Sequence, residues 1–201
     1  MARDFIAHLR RRRSQYNIGR NVKLSQAEIT SIIQEAVRQA PSTFNSQSSR
    51  VVILYGVESV QFWDIVKEAL RPLVPADAFQ PTEAKIKRFA SGAGTVLFYE
   101  DQQIVRELQE TYQLYADKFP EFSEQSSGMA QFSVWTALAT VGIGASLQHY
   151  NPVIDSLVAQ QWDIPQNWRL RAQLPFGSNE SELGEKSFIN DALRFKIAGN
   201  I

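Results

Sequence analysis

Four consecutive arginines near the amino terminus form the densest positive cluster in the chain. They occupy residues 10–13 and are followed directly by Ser14. Guanidinium groups bind phosphate oxygens in pairs, and a neighbouring hydroxyl adds a further hydrogen bond, so the cluster is suited to a phosphate group. Runs of like charge are also common as solvated surfaces or nucleic-acid patches, and composition alone favours that alternative.

A second, uncharged polar cluster follows an apolar helical segment. Residues 41–47 read Pro-Ser-Thr-Phe-Asn-Ser-Gln. Hydroxyl and amide groups beside free backbone N–H groups can satisfy the hydrogen bonds of a polar planar heterocycle. Taken alone the pattern is weak evidence, because Ser, Thr and Asn clusters commonly form turns.

Small residues and then polar ones occupy the segment 142–152, which reads Gly-Ile-Gly-Ala-Ser-Leu-Gln-His-Tyr-Asn-Pro. Small residues let the backbone approach a flat ligand closely. His149 is the plausible catalytic imidazole, although a structural hydrogen bond is the commoner role for a single histidine. A single cation near the carboxyl terminus, Lys186, indicates an anion site only if the fold brings it to the arginine cluster.

Composition excludes several kinds of site and partner. The 21 basic residues balance 21 acidic ones, so no overall field recruits nucleic acid or an anionic membrane. Cysteine is absent, which excludes disulfides, thiol catalysis and Cys-ligated metal sites, and the 2 histidines argue against a His-rich site, so we expect no metal. With no signal-peptide pattern and no apolar run of membrane length, we expect a cytoplasmic protein.

Hydrophobic periodicity predicts the elements that position these clusters. Ser25 and Glu28 are spaced as a capping box for a helix that Pro41 stops, and Asn151 with Pro152 predicts the start of another. Residues 129–141 are apolar on almost every side, which predicts a helix buried inside the domain or between subunits. Other helices are predicted around Phe5, Ile6 and Leu9 and at about 59–71, 82–90 and 104–115.

Fewer strands than helices are predicted. Continuous apolar runs predict buried strands at 51–55 and 95–99, and alternation predicts a strand from Trp168 that ends at Pro175-Phe176-Gly177. Residues 193–197 alternate as well. We therefore expect an α+β fold and, because there is no repeat or linker, a single domain over 1–201.

Together the clusters resemble the nitroreductase family of FMN-dependent enzymes. That family has Arg-Arg-Ser near the amino terminus, then Pro-Ser-Ser/Thr-x-Asn-x-Gln, then a carboxyl-terminal Lys or Arg. Here the same order is found in Arg12-Arg13-Ser14, residues 41–47 and Lys186. Residues 94–101, 135–138 and 147–152 are similar to the subgroup named after a fatty-acid-repression mutant.

The resemblance implies an α/β sandwich with a mixed central sheet flanked by helices, in an intertwined homodimer with two FMN sites at the interface. The phosphate and ribityl chain would be held by Arg12, Arg13, Ser14 and Lys186. The partner's flavin would be reached by Ser42, Thr43, Asn45 and Gln47. The flavin ring would be bordered by Leu147, Gln148 and His149. The helix at 129–141 would form the dimer core, and residues 193–197 an arm that crosses to the partner's sheet.

Two positions depart from the family pattern. Many members carry a cation beside the pyrimidine edge of the flavin, where this chain has Tyr16. Lys85 or Lys87 are candidates to replace that charge. Phe188 stands where the family has the second cation of its carboxyl-terminal pair, so the phosphate charge would depend more on the arginine cluster.

The function implied by the family is reduction of nitroaromatics, quinones or similar flat acceptors by NADH or NADPH through FMN, in a ping-pong cycle. No side chain is assigned as an essential acid or base, because solvent can supply protons at an open flavin face. A different possibility is a flavin-binding regulator of stress response or lipid signalling with little turnover. Nucleic-acid binding through residues 10–13 is a third.

Overall fold

The computed structural model describes residues 2–199 of the chain. The helices are α1 (Ala2–Arg11), α2 (Gln26–Arg38), α3 (Gly56–Leu70), α4 (Phe79–Ala90), α5 (Gln102–Thr111), α6 (Phe119–Thr140), α7 (Asp155–Gln161) and α8 (Asp191–Arg194). The strands are β1 (Ile18–Gly19), β2 (Ser49–Tyr55), β3 (Gly94–Asp101), β4 (Gly144–Ala145) and β5 (Trp168–Asn179). Within residues 2–199, no helix is both long enough and apolar enough to cross a membrane.

The strands form one sheet in the order β1-β5-β3-β2, with β4 also paired to β5. All of these pairs are antiparallel, so the predicted mixed sheet is corrected to an antiparallel one. Between β2 and β3, the packed helices α3 and α4 bring the chain back to the end of β2 that it left. Gly94 therefore pairs with Tyr55, and β3 runs antiparallel to β2. Among the described residues, the parallel pairing is an isolated bridge between Ser14 and Ala145.

The central strand β3 is buried along its whole length and feeds two cores. Because side chains alternate along a strand, Val96 and Phe98 point to one side of the sheet while Leu97 and Tyr99 point to the other. The first pair packs against α2 and α6 with Ile29, Ile33, Val134 and Leu138. The second packs against α3, α4 and α7 with Phe62, Trp63, Val66, Phe89 and Val158. We call these the α2–α6 face and the α3–α4 face.

Local signals in the sequence are confirmed where a short-range bond determines the structure. The capping box of α2 is present, with Glu28 N–H donating to Ser25 Oγ at 3.3 Å and Ser25 N–H donating to Glu28 Oε2 at 2.8 Å. The strands predicted at 51–55 and 95–99 are the cores of β2 and β3.

Three predicted boundaries are wrong. Helix α6 starts at Phe119 rather than 129, because Pro120 lies in the first turn, where its missing N–H needs no partner. Helix α7 starts at Asp155 because Pro152 belongs to a turn, in which its carbonyl accepts the Asp155 N–H at 3.2 Å. Strand β5 continues to Asn179, past the predicted end at Pro175-Phe176-Gly177, because its last two residues pair with Gly19 and Ile18 of β1.

The carboxyl-terminal tail differs from the extended segment predicted at 193–197. Leu193 and Arg194 lie in the single turn of α8, which is capped by the Asn190 side chain. Residues 179–199 are all exposed in the isolated chain. Local capping thus determines this segment, and its apolar side chains have no core to alternate against.

Candidate functional site

The arginine motif lies against the chain that leaves α6. Ser14 bridges to Ala145, and the Gln15 N–H donates to the Ala145 carbonyl at 2.9 Å. The Trp135 indole N–H donates to the same carbonyl at 3.1 Å. These bonds bring the first and third predicted motifs together, although they are far apart in sequence.

Arg12 stacks on the ring of Trp135. The guanidinium carbon lies 4.4 Å from the ring centroid, and Arg12 Nε is buried with no hydrogen-bond partner among the described residues. Burial, and then the neighbouring charge of Arg13, lower the pKa of Arg12. A stacked and partly desolvated guanidinium with an unused donor is well suited to binding an anion, which would restore the lost interactions.

Arg13 and Lys186 meet at a single cavity of about 610 Å³. The residues that line it are Ile6, Leu9, Arg10, Arg13, Glu185, Lys186 and Phe188. Arg13 Nη2 also donates to the Gly184 carbonyl at 3.1 Å, which ties the tail to the arginine motif. Three cations oppose one carboxylate here, so the cavity is electropositive, and Lys186 does reach the arginine cluster.

The loop at 41–47 has a backbone conformation that non-glycine residues rarely adopt. Phe44, Asn45 and Gln47 have φ of 55°, 52° and 49°, in the left-handed region. The loop closes on itself, because Asn45 N–H donates to the Ser42 carbonyl and Gln47 N–H donates to Ser42 Oγ, each at 2.9 Å. Thr43 N–H donates to Ser126 Oγ of α6 at 3.2 Å. Strained backbone held by its surroundings is common at ligand sites.

Within one chain this loop and the arginine motif open to different cavities. Ser42 and Gln47 line a space of about 210 Å³ together with Arg38 and Arg50. Asn45 is exposed and Thr43 is half-buried, and neither residue lines either of these two cavities. Of the predicted site residues, Arg13 and Lys186 therefore line one cavity, and Ser42 and Gln47 line the other.

The third motif contributes backbone more than side chains. Gln148 and Gln173 exchange both backbone hydrogen bonds, at 2.7 and 2.9 Å, and the Gln148 amide is buried against Ser146 Oγ at 3.2 Å. Leu147 packs against the core of the α2–α6 face. His149 is exposed. Gln148 therefore has its side chain committed within the chain, while His149 remains accessible.

The position of the missing cation is occupied by Tyr16, whose side chain is half exposed. The two lysines proposed to replace it lie on α4. Lys85 Nζ lies 5.7 Å from the Phe89 ring centroid, and Lys87 lines a cavity between α3 and α4. In the part of the chain that the structure describes, these contacts belong to the α3–α4 face rather than to the arginine motif.

Sequence reasoning missed Trp135 and Ser126 as supports of the site. Trp135 was assigned to an apolar helix, and its spacing does not reveal that its ring lies under Arg12. Ser126 lies in a part of α6 that was not predicted to be helical, so its bond to the 41–47 loop had no sequence signal.

A comparison with known protein families identifies the family to which this chain belongs. The nitroreductase family model matches residues 9–178. The chain belongs to the nitroreductase family. It is therefore an oxidoreductase of that family, whose members typically bind FMN.

Individual nitroreductases match over most of the chain. The HBN1 protein of Saccharomyces cerevisiae is 36% identical over 164 residues, covering 82% of this chain and 81% of the relative. Nitroreductase FRM2 of the same yeast is 30% identical over 194 residues, covering 94% and 95%. FRM2 is the fatty-acid repression mutant protein, so the predicted subgroup is confirmed.

A solved nitroreductase has the same fold at higher identity. CinD from Lactococcus lactis, in complex with chloramphenicol, superposes with a TM-score of 0.90 at 47% identity, covering 97% of this chain and 100% of that chain. CinD was also solved with 4-nitrophenol. The α+β prediction is confirmed by this match, with the antiparallel sheet as the correction described above.

Proposed function

We propose that the protein is an FMN-dependent NAD(P)H oxidoreductase that reduces nitroaromatics, quinones or similar flat acceptors. The observation that carries this proposal is the electropositive cavity that joins Arg13 to Lys186 beside the stacked Arg12. Guanidinium and ammonium groups supply several charge-assisted hydrogen bonds, so the donor set fits the phosphate of FMN. The unpartnered Nε of Arg12 supports the same assignment.

In this proposal the arginine motif holds the cofactor at its phosphate end. The phosphate and ribityl chain are bound by Arg12, Arg13, Ser14 and Lys186. Tyr16 lies at the pyrimidine edge without adding positive charge. Leu147, Gln148 and His149 border the ring, and Gln148 acts through its backbone because its side chain already bonds to Ser146.

The other half of each site comes from a second copy of the chain, through Ser42, Thr43, Asn45 and Gln47. Arg13 and Lys186 line one cavity of the chain while Ser42 and Gln47 line another, and this separation supports the division. Apolar side chains on α1, α6 and the tail are also open to solvent, with Phe5 57%, Phe132 42% and Leu193 82% exposed. Burying them in a homodimer is favourable, and the tail then serves as an arm.

Bound FMN supplies the redox chemistry, taking electrons from NADH or NADPH and passing them to the acceptor in a ping-pong cycle. The residues of the chain bind and orient the reactants. Arg12 is held by its stack on Trp135, so its charge is positioned before any anion binds. Solvent supplies protons, and His149 is exposed at the rim rather than assigned as an acid or base.

The acceptor class is proposed from a relative. CinD was solved with chloramphenicol and with 4-nitrophenol, which are both nitroaromatic compounds. The identity of 47% over nearly the whole chain supports carrying that class to this protein.

An absorption spectrum of the purified protein, with its native mass, tests the cofactor and the dimer together. We expect a yellow protein with the mass of two chains, whose flavin bands bleach when NADPH is added without oxygen. A colourless protein that takes up no added FMN contradicts the proposal.

The second candidate, a flavin-binding regulator with little turnover, is favoured by the uncharged Tyr16 at the pyrimidine edge. A cation there would stabilise reduced flavin, so its absence lowers the reduction potential of the flavin and weakens the driving force for flavin reduction by NAD(P)H. Steady-state oxidation of NADPH with a quinone or nitro compound separates the two. Sustained turnover supports the enzyme, and tight FMN binding without turnover supports the regulator.

A further inference from the structure

A fully buried carboxylate lies beneath the 41–47 loop. Glu100, near the end of β3, is 0% exposed. It accepts hydrogen bonds from the hydroxyls of Ser48 at 2.6 Å and Ser123 at 2.7 Å, and from that of Ser49. Burying a carboxylate is costly, and three hydroxyl donors are the partners that make it tolerable. A group of this kind requires an explanation beyond packing.

The carboxylate joins three segments of the chain at the base of the loop. Ser48 follows Gln47 directly, and its carbonyl accepts the Asp101 N–H at 2.9 Å. Ser123 lies on α6, one helical turn before Ser126, whose hydroxyl accepts the Thr43 N–H at 3.2 Å. Glu100 and α6 therefore fix both ends of the loop, the start through Thr43 and the exit through Ser48.

The loop needs such support because its backbone is strained. Left-handed φ at Phe44, Asn45 and Gln47 is unfavourable for residues with a side chain, and it persists only when the surroundings impose it. Without its anchors the segment would relax towards ordinary turn conformations. The orientation of its amide and hydroxyl groups would then be lost.

We propose that Glu100 is a positioning residue for flavin binding, acting on the strained loop through Ser48 and tying it through Ser123 to α6, the helix that binds Thr43. This inference rests on the proposed function, in which the loop reaches the flavin of the partner subunit. Glu100 is buried and does not touch the cofactor. Its role is to hold Ser42, Asn45 and Gln47 in the orientation that a flavin requires.

The test compares two serine-to-alanine variants that each remove one buried hydroxyl. Ser48→Ala removes a bond to Glu100, and the matched control Ser59→Ala removes the buried bond to Thr95 Oγ1, which is 2.8 Å long and lies in the α3–α4 face. FMN dissociation constants are measured by flavin fluorescence at a temperature where both variants are folded. We expect about tenfold weaker FMN binding for Ser48→Ala, from one lost bond to a charged group, and less than about twofold for Ser59→Ala.

Glu100→Gln and Glu100→Ala complete the experiment. The glutamine variant keeps the volume and can accept two hydroxyl bonds while donating to the third, so FMN affinity should stay within about threefold of wild type. The alanine variant leaves three hydroxyls without their acceptor and should bind at least about tenfold more weakly. Should the alanine variant not fold, Ser48→Ala against Ser59→Ala decides the matter.

The outcomes separate this inference from the proposed function. Tight FMN binding by the wild type, with unchanged affinity in Ser48→Ala, overturns the positioning role and leaves the proposed function intact. Equal losses of affinity in Ser48→Ala and Ser59→Ala also overturn it, because a general loss of stability would then explain both. Absence of FMN binding by the wild type overturns the proposed function itself.

Discussion

The two faces of the sheet are both well packed, but they differ in what else they carry. The α3–α4 face buries large aromatic side chains around Trp63, whose indole N–H donates to Thr95 Oγ1 at 2.9 Å. The α2–α6 face carries the stacked Arg12, the buried Glu100 and the strained loop at 41–47. Both faces therefore contribute to stability, while the α2–α6 face also accepts strain and a buried acidic side chain next to the proposed site. Changes on the two faces should separate loss of folding from loss of ligand binding.

The largest expected effect is on the α3–α4 face, for Trp63→Ala. Trp63 is fully buried and contacts the rings of Phe62, Phe89 and Tyr150. We expect the free energy of unfolding to fall by about 3–5 kcal/mol, measured by urea denaturation. The control Val57→Ala, on the exposed side of the same helix, should stay near wild type. Equal losses in the two variants would contradict a specific contribution of Trp63 packing to the stability of this face.

The next effect is on the α2–α6 face, for the double variant Arg13→Ala/Lys186→Ala. Each side chain should contribute about 1.5 kcal/mol to phosphate binding, so the FMN dissociation constant should rise about a hundredfold. The unfolding free energy should change little because Lys186 is exposed and Arg13 is only half-buried. Lys196→Ala, in the same tail, is the charge control. If the double variant binds FMN as tightly as Lys196→Ala does, this cavity does not bind the phosphate.

A smaller effect separates the two roles of Trp135. Trp135→Phe keeps a ring beneath Arg12 but loses the bond to the Ala145 carbonyl, so we expect about 1 kcal/mol of stability to be lost. Trp135→Leu loses the ring as well, so its binding free energy for FMN should be weaker than that of Trp135→Phe by about 0.5–2 kcal/mol. FMN titration of both variants measures the difference. Identical affinities would mean that stacking does not position Arg12.

The smallest effect is the pH dependence of Tyr99 on the α3–α4 face. Burial, and then the nearby charge of Asp155, raise the pKa of Tyr99, and its hydroxyl has no partner among the described residues. The stability that follows from this raised pKa is complete below about pH 10, the pKa of an unfolded tyrosine, and is lost as pH rises above that value. Tyr99→Phe should lie within about 0.5 kcal/mol of wild type at pH 8.

Above pH 10, the unfolding free energies of wild type and Tyr99→Phe should change with pH at different rates. Unfolding free energy should fall less steeply for Tyr99→Phe than for wild type, although some dependence remains because burial also raises the pKa of Tyr55 and Tyr150. Urea denaturation at a series of pH values measures the slopes. A steeper fall in Tyr99→Phe would contradict the sign of the shift.

The parts of the fold that were predicted correctly are those determined locally. The Ser25–Glu28 capping box and the apolar runs of β2 and β3 depend on neighbouring residues, so the sequence pattern reveals them. Strand β5 was predicted to end at Pro175-Phe176-Gly177, short of Asn179, because its last residues pair with β1, which lies far away in sequence. The early start of α6 was missed for a different reason, since Pro120 is tolerated in a first turn.

The candidate site was predicted as a set of residues but not as a geometry. The motifs identified the arginine cluster, the 41–47 loop and Lys186, and the structure brings Arg13 and Lys186 to one cavity. The left-handed backbone at Phe44 and Asn45 has no glycine to signal it. The stack of Arg12 on Trp135 depends on the rotation of α6 against the sheet, which no local pattern encodes.

Mixing two complementary variants tests the shared site most directly. Arg13→Ala/Lys186→Ala removes two of the residues proposed to bind the FMN phosphate. Asn45→Ala/Gln47→Ala removes two of the residues of the 41–47 loop that are proposed to reach the partner's flavin. Each variant alone should bind FMN weakly. After the two variants are refolded together, we expect mixed dimers. Each mixed dimer should have one intact site, and that site should bind FMN with wild-type affinity. No recovery of tight binding on mixing, in dimers shown by native mass to contain both variants, would contradict a site built from two chains.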